Sequence, residues 1–177
     1  AAGGIPDLKA AIREEILRTR GFRPDADQVL VLPGAKPGIF FTMLALVEPG
    51  DEVLYPDPAF PTYGSLVKYL RAADGAIPVL EANEFRLDPD DIKKRITKKT
   101  KLIILNSPNN PSGAVYGEEL VAGVVQLCER KGLYLVLDDI YHKLIFDGRR
   151  AVSPFAHAKD LSDSSRLIVV NGISKLY

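Results

Sequence analysis

The chain has 177 residues, 23 basic and 23 acidic, and so a formal charge of zero. That length suits one domain, or the core of a larger one, and could bury roughly 70% of its unfolded surface. A composition of 46% hydrophobic and 26% charged residues excludes a disordered, collagenous or coiled-coil chain. Balanced charge argues against nucleic-acid binding, which normally needs a basic excess to displace counterions. The single cysteine, Cys128, excludes an intramolecular disulfide framework and a multi-cysteine zinc site. No apolar run approaches the roughly 20 residues of a transmembrane helix, and Ala1-Ala2-Gly3-Gly4 lacks a signal-peptide pattern. The expectation is a soluble, cytoplasmic protein.

Pro6-Asp7 opens a first helix, in which Leu8, Ile12 and Ile16 recur every fourth residue before Gly21. Val29–Leu32 reads as a strand. Gly34 to Val47 reads as a second helix, apolar on most of its circumference and therefore expected to be buried. After the turn Pro49-Gly50-Asp51, Glu52–Tyr55 reads as a strand, Pro58 to Leu70 as a helix and Ile77–Leu80 as a strand. Asp88 to Ile96 is a fourth helix. Lys93, Lys94, Arg95, Lys98, Lys99 and Lys101 cluster at its end, balanced by Asp88, Asp90 and Asp91. That cluster reads as a solvated helix end rather than a phosphate patch. Leu102–Asn106 follows as a strand, then a helix from Glu118 to Lys131 that stops at Gly132. Leu133–Asp138 and Leu167–Val170 complete the strands. Leu102–Asn106 and Leu133–Asp138 do not alternate with polar residues, which suits strands covered on both faces. The alternation of strands and helices predicts an α/β fold, a mostly parallel sheet sandwiched by helices.

In such sheets ligands bind beyond the carboxyl ends of the strands, and four of these junctions carry unusual chemistry. Pro33-Gly34-Ala35-Lys36 opens a helix whose free N–H groups would suit a phosphate, although neither GxxxxGK[ST] nor GxGxxG is present; a plain glycine-turned helix start remains open. Asn106-Ser107-Pro108-Asn109-Asn110-Pro111-Ser112-Gly113 is a stiff loop that presents the Asn110 amide. Asp138-Asp139-Ile140-Tyr141 ends an apolar strand on two carboxylates. Adjacent strand residues face opposite ways, so a glycosidase couple, or a metal site with His142, is less consistent than one carboxylate facing a cationic ligand. Asn171-Gly172-Ile173-Ser174-Lys175 places a lysine just past a strand, where partial desolvation would favour the neutral, nucleophilic amine. Cys128 reads as a core or half-buried thiol. His142 and His157 have no partners at recognisable spacing, and His157 reads as solvated.

Taken in order, Gly34-Ala35-Lys36, Pro58-Ala59-Phe60, Asn109-Asn110-Pro111-Ser112-Gly113, Asp138-Asp139-Ile140-Tyr141 and Ser174-Lys175 resemble the class I/II aminotransferases. These are pyridoxal-phosphate enzymes of fold type I, similar in kind to aspartate aminotransferase. Gly4-Ile5-Pro6-Asp7-Leu8 also resembles the family segment that leads into the large domain. The resemblance implies the cofactor pyridoxal 5'-phosphate, no metal, and transfer of an amino group from an L-amino acid to a 2-oxo acid. Lys175 would hold the cofactor as a Schiff base and shuttle the substrate proton. Asp138 would face the pyridine nitrogen, and Asn110 and Tyr141 the 3′ oxygen. Phe60 would stack on the ring. The backbone at Ala35 and Lys36, with the hydroxyl of Ser174, would bind the phosphate.

Asp139 departs from the pattern, standing where many relatives have glutamate. The family's arginine shortly after the lysine, its substrate-carboxylate arginine and its small domain have no counterpart in residues 1–177. The expectation is therefore a truncated large domain, part of the cofactor-binding unit of a homodimeric parent, with little or no transaminase activity of its own. Two other readings stay open: a β-lyase or synthase of the same fold, and an aminotransferase-like sensor domain of a transcription regulator. No nucleic-acid or membrane partner is expected of the chain itself.

Overall fold

The computed structural model describes residues 3–176. Five strands form one sheet: β1 (Glu52–Asp57), β2 (Ala73–Pro78), β3 (Thr100–Asn106), β4 (Tyr134–Asp138) and β5 (Leu167–Val170). Their spatial order is β2-β1-β3-β4-β5, and every neighbouring pair is parallel. Five α-helices accompany them: α1 (Pro6–Arg20), α2 (Ala35–Leu46), α3 (Thr62–Tyr69), α4 (Pro89–Arg95) and α5 (Glu118–Lys131). Parallel neighbours need a crossover; α3, α4 and α5 lie in those between β1 and β4, while the chain from β4 to β5 runs through an irregular segment with one short 3-10 turn, Pro154–Ala156. No helix among the described residues is long and apolar enough to cross a membrane.

The alternating side chains of the strands build two cores. Leu54, Ile103, Leu105, Leu135 and Leu137 face α4 and α5, meeting Ile92, Leu120, Val124 and Leu127. Val53, Tyr55, Leu102, Ile104, Val136 and Val170 face α2 and α3, meeting Ile39, Met43, Tyr63 and Val67. A strand buried on both faces has no polar side to show, which is why β3 and β4 read as unbroken apolar runs. Gly21 and Gly132 end α1 and α5 in the left-handed region, at φ 72° and 66°, a conformation that a Cβ would disfavour.

Three expectations fail. Val29–Leu32 is extended but belongs to no ladder among the described residues; its backbone bonds there include Val29 N–H to Ala26 O and Val31 N–H to Gly3 O. The apolar pattern was right for a strand, but no strand lies beside it to pair with. Helix α2 is buried only along Ile39 and Met43, while Phe41 and Leu44 are each 49% exposed. One stripe of a helix can lie on a sheet; Ala35, Phe40 and Leu46 pack at its margins, and Phe41 and Leu44 face outward. The third helix also begins later than Pro58, because the chain uses Pro58 to Pro61 to leave β1 before turning helical at Thr62.

Ile104 sits mid-strand in β3 with no exposed surface. Truncating it would remove three carbons from close packing, so Ile104→Ala should cost about 2–5 kcal/mol. Urea unfolding checks this: the midpoint should fall while the slope stays unchanged.

Candidate active site

Parallel strands bring their carboxyl ends to one edge, and here the register aligns them. Asn106 of β3 lies beside Asp138 of β4, which lies beside Val170 of β5. Asp138 shares the strand face of Val136, so its side chain meets α3. It is 4% exposed. The Tyr63 hydroxyl donates to Asp138 Oδ2 at 2.5 Å, while Asp138 Oδ1 is buried with no hydrogen-bond partner among the described residues. Burial raises the pKa of this carboxyl, and the bonds from Tyr63 and the Ile140 backbone N–H pull it part of the way back. Burial, followed by the charge of Asp138, raises the phenol of Tyr63, so that it remains a donor.

A run of hydrogen bonds connects the ends of β3 and β4. Asn106 Nδ2 donates to the Asp138 carbonyl at 2.9 Å, and Asn106 Oδ1 accepts from the Asn110 backbone N–H at 2.7 Å. Asn110 Nδ2 in turn reaches the Tyr141 hydroxyl at 3.4 Å. The loop itself is stiffened by Asn109, whose Oδ1 accepts from the Ser112 hydroxyl at 2.8 Å and whose N–H donates to the Ala114 carbonyl at 2.9 Å. The peptides before Pro108 and Pro111 are cis. A shallow cavity of ≈ 280 Å³ opens beside Asn110 and Tyr141.

From the other side, the Phe60 ring packs edge-on to Tyr63, with centroids 5.8 Å apart at 84°. Lys36 Nζ lies 5.7 Å from the Phe60 ring centroid. Gly34 caps α2 at φ 114° without a side-chain acceptor, so the leading N–H groups at Ala35 and Lys36 carry no side-chain cap. The β5 exit passes alongside: a Cβ on Gly172 would stand 3.8 Å from that of Ala35. Ala35, Lys36, Phe60, Asn110, Asp138 and Tyr141 thus gather around one rim of the sheet.

Ser174 and Lys175 follow β5 in a turn closed by Leu176 N–H to the Ile173 carbonyl, and both are exposed. The expected partial desolvation of Lys175 is therefore not observed. The turn projects from the rim, Ile173 within it is 76% exposed, and no element among the described residues covers it. Asp138 and Asp139 diverge as their strand positions require. Asp139 turns to a buried ion pair with Arg20 and is 3.8 Å from His142 Nδ1, far from a shared chemistry with Asp138. The two histidines differ from their sequence reading: His142 has 7% of its side chain exposed, and His157 only 17%, with Nε2 3.8 Å from Glu118. Cys128 is in the core, where burial pushes its thiol up to about 12.

Three residues of this region carried no role in the sequence reading. Tyr63 had a usable signal, one helical turn after Phe60 and so on the same side of the segment. Asn106 stood in a conspicuous loop, but its bonds to both neighbouring strand ends depend on register. Arg20 is 119 residues from Asp139, and no local pattern joins them.

An open parallel sheet with ligand-facing groups gathered at its carboxyl edge defines an α/β ligand-binding unit. The family model "Aminotransferase class I and II" matches residues 2–177. A probable aspartate aminotransferase of Methanocaldococcus jannaschii is 37% identical over 98% of this chain and 44% of its own length. A probable aspartate/prephenate aminotransferase of Aquifex aeolicus is 32% identical over 99% of this chain and 44% of its own. Among solved structures, Thermus thermophilus aspartate aminotransferase with maleate superposes with a TM-score of 0.91 at 32% identity, covering 98% of this chain and 44% of that one. The chain belongs to the class I and II aminotransferase family. It spans less than half the length of these relatives.

Enzymes of this family depend on pyridoxal phosphate, and the residues present fit that group. Asp138 Oδ1, buried and unpartnered, is an acceptor that lacks only a donor such as a protonated pyridine nitrogen. Uncapped N–H groups at the α2 start suit a phosphate, and the Asn110 amide and Tyr141 hydroxyl offer donors to a ring oxygen.

Because folding raises the Asp138 pKa above the ordinary 3.8, the native state holds more protons than the unfolded chain between those two values. Stability at this group is fully present below the unfolded pKa and is lost as pH rises through the folded one. Tyr63→Phe removes the hydroxyl that lowers the folded pKa and leaves Oδ2 without its donor. It should destabilise by about 1–3 kcal/mol, and the deficit should grow as pH rises from about 4 to about 8. Urea unfolding of both proteins across that range checks the sign.

Proposed function

We propose that the chain is the cofactor-binding part of the large domain of a pyridoxal-phosphate-dependent aminotransferase, which moves an amino group from an L-amino acid to a 2-oxo acid. The observation that carries this reading is Asp138: a carboxylate at a strand end, one oxygen already satisfied by Tyr63 and the other buried without a partner. Leaving such an acceptor unmade is costly, and a cationic N–H donor resolves it.

When bound, the cofactor supplies an aldehyde for the amino group and an aromatic ring that takes up the electrons left as the Cα proton departs. The chain's own residues do the rest. Asp138 Oδ1 would accept from a ring N–H and, as an anion, would favour the protonated nitrogen. Asn110 Nδ2 and the Tyr141 hydroxyl, already within 3.4 Å of one another, donate to the phenolic oxygen. Phe60 would offer an apolar ring for the cofactor to pack on. The N–H groups of Ala35 and Lys36 bind the phosphate at the positive end of α2, helped by the Ser174 hydroxyl. The Lys175 amine would be the group that holds the aldehyde and would serve as the proton carrier at the substrate Cα. The same reading takes the whole protein to be a homodimer working in the cytoplasm.

Incubation with pyridoxal phosphate, reduction with borohydride and peptide mapping test the assignment. One labelled peptide containing Lys175 is expected, with labelling lost in Lys175→Ala. Undiminished labelling of Lys175→Ala at another lysine would overturn it. Asp138→Asn should still be labelled, but should weaken cofactor binding by about tenfold or more, since a charge-assisted bond becomes a neutral one.

A further inference from the structure

Behind the site lies a second buried charged cluster that the reaction does not use. Arg20, the last residue of α1, pairs through Nη2 with Asp139 Oδ2, and only 5% and 3% of the two side chains are exposed. Arg20 Nη1 reaches the Val152 carbonyl at 3.5 Å, and the Arg20 carbonyl accepts from the Ser153 hydroxyl at 2.7 Å. Asp139 is fixed in turn on every side. Its N–H donates to the Val170 carbonyl at 2.8 Å. Its own carbonyl accepts from the His142 N–H at 3.2 Å and lies 2.9 Å from His142 Nδ1. A carbonyl can only accept, so Nδ1 carries the proton. Lys143 of the same turn lies 3.2 Å from Glu15 on α1.

This cluster grips the segment from Asp138 to Tyr141, two of whose residues are assigned cofactor contacts. Asp138 precedes Asp139, and Tyr141 follows it by two positions in the turn closed by Leu144 N–H to the Tyr141 carbonyl. Desolvating two charges is expensive, and an apolar pair of the same volume often serves stability equally well. What the ion pair adds is direction: the planar guanidinium holds a carboxylate in one orientation. It also supplies a cation for one of two adjacent buried acids.

We propose that Arg20 is a positioning residue for the cofactor site: through its buried ion pair with Asp139 it holds the Asp138–Tyr141 turn in register and offsets the second carboxylate, so that Asp138 alone presents charge to the ring nitrogen. The inference rests on the reading that pyridoxal phosphate binds against Asp138 and Tyr141. Charges facing the cluster come from α1 (Glu15, Arg20), from the turn (Asp138, Asp139, His142, Lys143) and, on the far side of Asp138, from the Tyr63 phenol of α3. Burial pushes the Asp139 carboxyl up to about 7, with Arg20 pulling it down and Asp138 adding to the rise. Removing Arg20 alone would therefore leave two acids competing for protons beside the ring.

The test compares the purified protein with Arg20→Met, Arg20→Lys and the charge-free double variant Arg20→Met/Asp139→Leu. Its readouts are the dissociation constant for pyridoxal phosphate, the pH midpoint of the bound cofactor's visible absorbance, and the melting temperature. Arg20→Met leaves an uncompensated buried carboxylate and is expected to melt well below the parent; the double variant removes both charges together and is expected to melt close to the parent. A tenfold or greater weakening of cofactor binding is expected in the double variant, with a pH midpoint displaced by half a unit or more, and a midpoint nearer the parent's in Arg20→Lys. Folded variants that bind within twofold of the parent at an unmoved midpoint would overturn the inference while leaving the functional reading intact. A parent protein that gives no cofactor absorbance would overturn both.

Discussion

A carboxylate placed at the end of an apolar strand is costly, and the rest of this structure follows from how Asp138 is accommodated. Its strand is covered on both faces, so its backbone is fixed and water is excluded. One oxygen is satisfied by a tyrosine from the neighbouring helix and the other is left as a buried acceptor. Burial by itself favours the neutral acid. A cation with a donor N–H would favour the charged form, so the burial that raises this carboxyl suits it to a positively charged partner.

The second acid shows how a strand end can separate two charges that are adjacent in the chain. The pleat sends Asp138 toward α3 and Asp139 toward α1. Each then meets a different partner, a neutral phenol in one case and a guanidinium in the other. The neutral partner keeps Asp138 available to a ligand, while the charged partner withdraws Asp139 from the chemistry and ties it to the frame. The Asn106 side chain completes the frame from β3, bonding to the Asp138 carbonyl and the Asn110 N–H, so that the loop and the strand end move together.

Much of the fold was legible in the sequence because its periodicities are strong. The unbroken apolar runs of β3 and β4, the four-residue spacing in α1, and the glycines after α1 and α5 each report a local preference that the tertiary structure keeps. Where the reading failed, the cause was a neighbour. Val29–Leu32 has strand character but, among the described residues, no strand alongside to pair with, and the apolar residues of α2 outnumber the positions that one contact face can cover. Lys175 follows a buried strand, yet its turn stands clear of the rim, since exposure depends on what lies above a residue and not on what precedes it.

For the site, the residue types and their order along the chain were enough to place Asn110, Asp138, Tyr141 and Lys175 after successive strands, because a parallel sheet delivers every strand end to the same edge. Sequence alone thus determined which residue types reach that edge. Tyr63 as the partner of Asp138, the bridging role of Asn106, and the pairing of Arg20 with Asp139 were decided only in three dimensions. They depend on strand register and on which helix face meets the sheet, and contacts between residues up to 119 positions apart leave no periodic trace in the chain.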